Sequence, residues 1–365
     1  MNGGLEPAPR VEPRHRPRVG FAGVGWIGHH RMKAMLEAGA VEAAAIADAS
    51  AEMRARALEI APGAKCLASF DELIEEPLDA IVIATPTALH ADQAIRALKC
   101  GAAVFCQKPL GRTADEVSAV VAAARSADRL LAVDLSYRFT AGMCRVRDLA
   151  RSGALGRIFA VDLTFHNAYG PDKPWFYDWK LSGGGCVMDL GVHLVDLALW
   201  TLDFPPVEEV SSTLFAAGER LVADVDRVED CAFATLTLAG GTTVRLACSW
   251  RLHAGRDAVI AAAFHGTKGG AELSNVDGSF FDFVAVHSRG TSREVIATPP
   301  DAWFGRAAVD WTARLAQGQR FDASAAQLVE VAAALDRIYG RPGAPPAGAE
   351  PGVAIQREML AGIPR

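Results

Sequence analysis

The sequence predicts an α/β unit followed by an α+β unit, and three observations carry that prediction. Over residues 18–137 short apolar runs alternate with helix-period segments, the pattern of βαβ units building a parallel sheet buried on both faces. The first run enters a glycine-rich turn, Gly23-Val24-Gly25-Trp26-Ile27-Gly28, that opens a helical stretch. From residue 138 onward the strand-like runs follow one another with few helices between them, which reads as an antiparallel sheet flanked by helices. The length of 365 residues agrees, since roughly 150 residues make a domain.

The elements follow in order. Arg18 to Ala22 is a strand and Ile27 to Ala38 a helix that Gly39 stops. Val41 to Ala47 is a second strand ending at Asp48, and Ala51 to Glu59 is helical. Ser69 caps a short helix, Phe70 to Glu75. Asp79 to Ala84 is the most strand-like run; Thr85-Pro86 ends it and Ala88 to Lys99 is helical. A strand from Ala102 to Cys106, a Thr113/Glu116 capping box before Val117 to Ala124, and a strand from Leu130 to Leu135 complete the unit. Beyond it come a helix, Gly142 to Arg151, a strand, Ile158 to His166, and a helix, Gly185 to Leu202. Strands are expected at Val207 to Phe215, Cys231 to Leu238, Thr242 to Trp250, Ala258 to His265 and Phe280 to His287. Gly240-Gly241 and Arg289-Gly290 read as hairpin turns. Ala302 to Ala316 and Ser324 to Tyr339 are closing helices, and 340–352 is a Gly/Pro-rich loop. Residues 1–17 read as a disordered tail, 18–137 as the first domain and 138–365 as the second.

Composition excludes several classes of function. Hydrophobic residues make up 50% and charged residues 22%, too apolar for a disordered chain. The net charge of −6 argues against nucleic-acid binding, which usually needs a basic face. No apolar stretch has the length of a membrane span; the most apolar, Cys186 to Trp200, is broken by Asp189, His193 and Asp196. The tail lacks the apolar segment of a secretory signal. Seven cysteines without CxxC spacing suit reduced thiols and a cytoplasmic protein, and no metal-ligand spacing is visible.

Three motifs carry chemistry. In the GxGxxG turn, Gly23 allows the tight bend, Gly25 lets the backbone approach a pyrophosphate and Gly28 lets helix and strand pack closely. The helix N-terminus would hold the phosphates. Asp48, 20 positions after Gly28, can accept hydrogen bonds from an adenosine ribose. Its carboxylate repels a 2′-phosphate, which favours NAD over NADP; Arg54 and Arg56 keep NADP as the alternative. A purely structural glycine turn is the other reading.

Gln107-Lys108-Pro109 follows the strand 102–106, and strand carboxyl ends are where α/β sheets hold ligands. Only 7 of the 37 basic residues are lysines, so a lysine at this place suggests a required ammonium; a surface lysine before a turn is the bland alternative. The third motif is Gly183-Gly184-Gly185-Cys186-Val187-Met188-Asp189-Leu190-Gly191-Val192-His193, with Asp196 beyond. Asp189, His193 and Asp196 stand at i, i+4 and i+7, on one helical face. A histidine suits proton removal from an alcohol near neutral pH, and a nearby carboxylate can orient it. The alternative is a pair that only stabilises the helix.

Together, GVGWIG at 23–28, ATPTALH at 84–90, QKPL at 107–110, SYRF at 136–139 and GGGCVMDLGVH at 183–193 resemble the Gfo/Idh/MocA oxidoreductases. The resemblance spans nearly the whole chain after the tail. It implies a Rossmann dinucleotide-binding domain followed by a substrate domain with an open, mostly antiparallel sheet, through which such proteins form homodimers or homotetramers. It places the family's EKP lysine on Lys108 and its catalytic Asp and His on Asp189 and His193. Trp26, Ile27, Thr85, Pro86, His90 and Gln107 would join Gly23, Gly25, Gly28 and Asp48 at the cofactor. Gln107 departs from the usual glutamate, which removes a negative charge beside Lys108. Tyr137, Arg138, His166 and Trp175 are substrate candidates, each also explicable by core packing or an ion pair.

The resulting expectation is NAD(P)-dependent oxidation of a sugar or cyclitol hydroxyl. A sugar–sugar oxidoreductase with tightly held cofactor, a redox-assisted glycosidase and a non-catalytic cofactor-binding regulator are the alternatives.

Overall fold

A computed structural model describes residues 16–222 and 227–341. Residues 1–15 of the expected tail and 342–352 of the expected loop lie outside the described residues. The first sheet takes β1 (Arg18–Ala22), β2 (Glu42–Ala47), β3 (Lys65–Leu67), β4 (Ala80–Ile83), β5 (Ala103–Cys106) and β6 (Leu131–Val133). They are all parallel, in the order β3-β2-β1-β4-β5-β6. The connecting helices are α1 (Trp26–Glu37), α2 (Ala51–Ile60), α3 (Phe70–Ile74), α4 (Thr87–Lys99) and α5 (Ala114–Ala127). Every residue of β4 and β5 is buried; helices on both faces explain why these runs are continuously apolar rather than alternating. Ser69 and Thr113 cap α3 and α5 through their hydroxyls. The strand order reverses between β1 and β4, which opens a crevice at the carboxyl ends.

The second sheet is built from β7 (Ile158–Asn167), β8 (Val207–Ala216), β9 (Glu219–Arg220), β10 (Cys231–Leu238), β11 (Thr243–Ser249), β12 (Ala258–Gly266), β13 (Gly270–Asn275), β14 (Phe283–Arg289) and β15 (Ser292–Ala297). Its order is β15-β14-β13-β12-β7-β11-β10-β8-β9, antiparallel throughout except for β7 beside β11. Along β10, Ala232, Ala234, Leu236 and Leu238 are buried while Phe233 is 51% exposed, so one face is covered and the other open. The covering helices are α6 (Ala141–Arg151), α8 (Val192–Thr201) and α10 (Gln327–Ile338); their Met143, Val146, Leu194, Val331 and Leu335 share a core with the sheet. A short helix, α7 (Trp179–Ser182), precedes the glycine run.

The segment 138–365 is not confined to the second sheet. Helix α9 (Arg306–Ala316) returns to the first, where Ala307, Ala308 and Trp311 pack with Val19, Phe21 and Phe105. The rings of Trp311 and Phe105 lie 5.6 Å apart. Helix α10 touches both layers: Ala332 packs with the first core and Val331 with the second. The carboxylate of Asp336 accepts from the Ala114 N–H at the start of α5, 2.7 Å away. Among the described residues no helix is long and apolar enough to cross a membrane.

Candidate active site

A cleft of about 680 Å³ lies along the carboxyl ends of the first sheet and is closed over by the second domain. On one side stands the glycine turn. Gly23 has φ near +80°, and a side chain there would meet the Ala84 carbonyl; a Cβ on Gly28 would lie 2.1 Å from the Gly23 carbonyl oxygen. These two glycines are fixed by packing, whereas a Cβ on Gly25 would meet no atom within 4 Å. The open space at Gly25 adjoins the N-terminus of α1, which has no side-chain cap and no acidic residue in its first turn. Uncapped N–H groups beside an empty glycine cradle suit a diphosphate. At the end of β2, Asp48 is held by two backbone donors, Val24 N–H at 2.9 Å and Ser50 N–H at 2.8 Å. Each carboxylate oxygen retains acceptor capacity for a ribose hydroxyl. Arg54 folds over the same corner and donates to the Asp48 carbonyl. The residues present therefore fit a dinucleotide.

At the other side, Lys108 leaves the end of β5 and reaches across to the second domain. Its ammonium donates to Asp189 Oδ1 at 2.7 Å and to the Asp189 carbonyl at 2.8 Å. Trp250, just past β11, donates its indole N–H to Asp189 Oδ2 at 3.1 Å. The backbone from Val187 to Gly191 is a π-helical turn that runs into α8. Its start is held by the buried carboxylate of Glu229, which accepts from Gly185 N–H, Val187 N–H and the Tyr339 hydroxyl. A Cβ on Gly185 would lie 1.9 Å from the Glu229 carbonyl oxygen, so the glycine run admits this neighbouring segment of the chain.

His193 is buried against the ring of Tyr137, with ring centroids 4.8 Å apart. Its Nδ1 is enclosed without a partner, which leaves Nε2 as the nitrogen facing the cleft. Burial, reinforced by the positive charges of Lys108 and Arg31, holds its pKa well below the ordinary histidine value. The ring is neutral at pH 7. Burial pushes the Tyr137 phenol up, so it stays protonated.

Sequence expectations meet this geometry unevenly. Gly25, Trp26, Ile27, Thr85, Pro86, His90, Gln107, Lys108, Tyr137, Trp175, Asp189 and His193 all line the cleft. Asp189 grips Lys108 rather than orienting His193. Asp196 does not join them at the cleft: its carboxylate pairs with Arg138. Arg138 makes a buried ion pair and lies by the rings of Trp200 and Phe204, the ion-pair reading of the two the sequence allowed. His166 has its Nδ1 2.7 Å from the Ser249 hydroxyl at the sheet. His90 has both ring nitrogens against backbone carbonyls, Thr85 and Pro109, each at 2.7 Å. It ties two loops together rather than offering a free nitrogen to a ligand.

Sequence reading missed Arg31, Asp134, Trp303 and Phe304, all of which line the cleft. Trp303 and Phe304 fell inside an expected helix that in fact begins at Arg306. The other two meet only through a contact between residues 103 positions apart, which no local pattern marks.

Comparison with known proteins identifies the family. A family model described as the oxidoreductase family, NAD-binding Rossmann fold, matches residues 17–135, and one described as the GFO/IDH/MocA C-terminal domain matches residues 143–272. The chain is 30% identical over 260 residues to inositol 2-dehydrogenase of Rhizobium meliloti (strain 1021), covering 71% of this chain and 76% of that protein. It is 29% identical over 206 residues to D-glucoside 3-dehydrogenase of Escherichia coli (strain K12), covering 53% of this chain and 58% of that relative's length. Among solved structures, levoglucosan dehydrogenase in complex with NADH and levoglucosan superposes with a TM-score of 0.75 at 23% identity, over 89% of this chain and 96% of the other. That likeness establishes the shared fold.

Proposed function

Because the chain belongs to the Gfo/Idh/MocA family of oxidoreductases, with an NAD-binding Rossmann domain, we propose that it is an NAD(P)-dependent dehydrogenase of a sugar or cyclitol hydroxyl. One observation carries the reading: Lys108, Asp189 and His193 line a single cleft together with Gly25 and the N-terminus of α1. The family relatives named above act on inositol and on D-glucosides, and a polyol would find donors, acceptors and the aromatic faces of Trp175, Phe176 and Tyr137 in this cleft.

Bound at the cleft, the nicotinamide supplies the hydride acceptor. The chain's own groups handle the proton. His193, neutral and open at Nε2, takes the hydroxyl proton as the carbon–hydrogen bond breaks. The Lys108 ammonium, aimed by Asp189, stabilises the negative charge growing on that oxygen. Asp189, itself fixed by Trp250, keeps the ammonium at one point and offers an acceptor to a neighbouring hydroxyl. Asp48 favours NAD through the adenosine ribose.

We place the protein in the cytoplasm, in keeping with seven free cysteines. We also infer a homodimer or homotetramer formed through the open face of the second sheet. That face presents Phe233 among Thr235, Asp162 and Arg245, and light scattering on the purified chain reads the state directly. The test of the activity is a panel of sugars and cyclitols scored by NADH absorbance with each cofactor. Turnover of at least one, lost in His193→Ala, supports the reading; a folded, NADH-binding protein inert toward the panel refutes it.

A further inference from the structure

Between the glycine turn and Lys108 lies a buried polar cluster with no part in the proton path. Asp134, just past β6, accepts through one oxygen, Oδ2, from both Arg31 Nε on α1 and Gln107 Nε2 past β5. The three side chains are 1%, 2% and 8% exposed for Asp134, Arg31 and Gln107, yet all line the cleft. The Arg31 guanidinium also sits 4.1 Å over the Phe304 ring. Asp134 Oδ1 and Arg31 Nη1 are buried without partners. A cluster that leaves polar atoms unsatisfied is not built for stability alone.

An ionised carboxylate can only accept hydrogen bonds. Asp134 therefore dictates the orientation of the Gln107 amide: the NH₂ points inward to Oδ2 and the carbonyl oxygen, Oε1, is left toward the cleft. The cleft thus receives a fixed acceptor from residue 107, although the resemblance led to an expected glutamate there. The carboxylate stands one strand over, neutralised by Arg31. Topology says what meets this acceptor. Asp48 at the end of β2 marks the adenosine side and Gly25 the diphosphate. The other half of a dinucleotide then extends over the ends of β4, β5 and β6, where Gln107 and Asp134 stand.

We propose that Asp134 is a positioning residue that locks Gln107 with its carbonyl toward the nicotinamide riboside half of the cofactor, as acceptor for a hydroxyl or amide donor there. The proposal rests on the dinucleotide reading of the cleft.

The test compares wild type with Asp134→Asn, Gln107→Glu and the double variant, measuring affinity for NADH and, as a control, for ADP, which lacks the nicotinamide riboside. The amide introduced by Asp134→Asn can donate as well as accept, so Gln107 is free to turn its NH₂ outward. NADH affinity should fall about tenfold while ADP affinity stays within about twofold. Gln107→Glu sets two carboxylates against one guanidinium and should weaken NADH binding by about the same factor or more. In the double variant the new amide at position 134 donates to the new carboxylate at position 107, restoring one carboxylate and one outward acceptor. NADH affinity should return to within about threefold of wild type. A merely structural cluster would weaken NADH and ADP alike and would show no such rescue, and either result overturns the proposal. Should Asp134→Asn fail to fold, the comparison of Gln107→Glu with the double variant decides. A wild-type protein that binds ADP but not NADH would overturn the dinucleotide reading itself, whereas normal NADH binding in every variant would overturn only the role of Asp134.

Discussion

Replacing Lys108 by Met keeps the bulk of the stem and deletes its ammonium. Two hydrogen bonds disappear, at 2.7 and 2.8 Å to Asp189 Oδ1 and to the Asp189 carbonyl. Trp250 alone then faces the Asp189 carboxylate. Lys108 and Asp189 are 18% and 17% exposed, so water restores part of the lost solvation, and the stability cost should be about 1–2 kcal/mol. The catalytic cost is larger, because the deleted ammonium is the cation that Asp189 holds at the cleft. We expect kcat/KM to fall at least about 100-fold, or about 2.7 kcal/mol of transition-state stabilisation. A second readout separates this role from a structural one. Lys108 is, after burial, the largest influence that lowers the His193 pKa, so its loss should raise that pKa. The acid limb of the pH–rate profile for oxidation should move to higher pH in the variant. Steady-state kinetics by NADH absorbance, run across pH with a thermal melt alongside, measures both. A folded variant with near-wild-type turnover, or one whose acid limb does not move, would refute the reasoning.

Three further outcomes follow from the same geometry. His193→Ala should lower turnover about 10²–10⁴-fold with NADH affinity within about twofold of wild type, and titration of NADH by fluorescence checks the second half. Asp48→Ala should weaken NAD and raise the NADP-to-NAD preference, since the carboxylate that repels a 2′-phosphate is gone while Arg54 remains at the same corner; a wild type already tighter for NADP would contradict it. Stability should fall as pH drops below about 6.5: burial lowers the pKa values of His90, His166 and His193. The unfolded chain therefore takes up protons there that the folded chain refuses. Melting temperature against pH should show this slope, and His193→Ala should flatten it.

The features legible in the sequence are those whose physical cause is local. The GxGxxG turn, the lysine at a strand end and the glycine-led DxxxH segment each declare themselves within a dozen residues, and all three reach the cleft. Strands with continuous apolar runs, such as β4, and helices with hydroxyl caps, such as α3 and α5, were equally plain. What escaped depends on distant partners. Strand β3 is three residues long and exists because β2 pairs with it. Strands β13 and β15 are short and partly polar, and each is held by β14. The π turn at Val187–Gly191 cannot be read from spacing, nor can the turning of Asp196 to Arg138 rather than to the cleft. Arg138 stayed open between ligand contact and ion pair because its partner, Asp196, lies 58 positions away. The Arg31–Asp134–Gln107 cluster is invisible for the same reason, although it accounts for the one motif residue that departs from the family pattern.

The proposed function stands on one step, the departure of hydride from a sugar or cyclitol carbon in this cleft while His193 takes the proton. It is tested most directly by offering purified protein a panel of sugars and cyclitols with NAD and following both reduced nicotinamide and ketone product. Equal amounts of the two are expected with at least one member of the panel, together with an acid limb that vanishes in His193→Ala and no turnover in Lys108→Met above about one hundredth of wild type. A wild-type protein that binds NADH, melts cooperatively and yet forms no reduced nicotinamide with any member of the panel would contradict it.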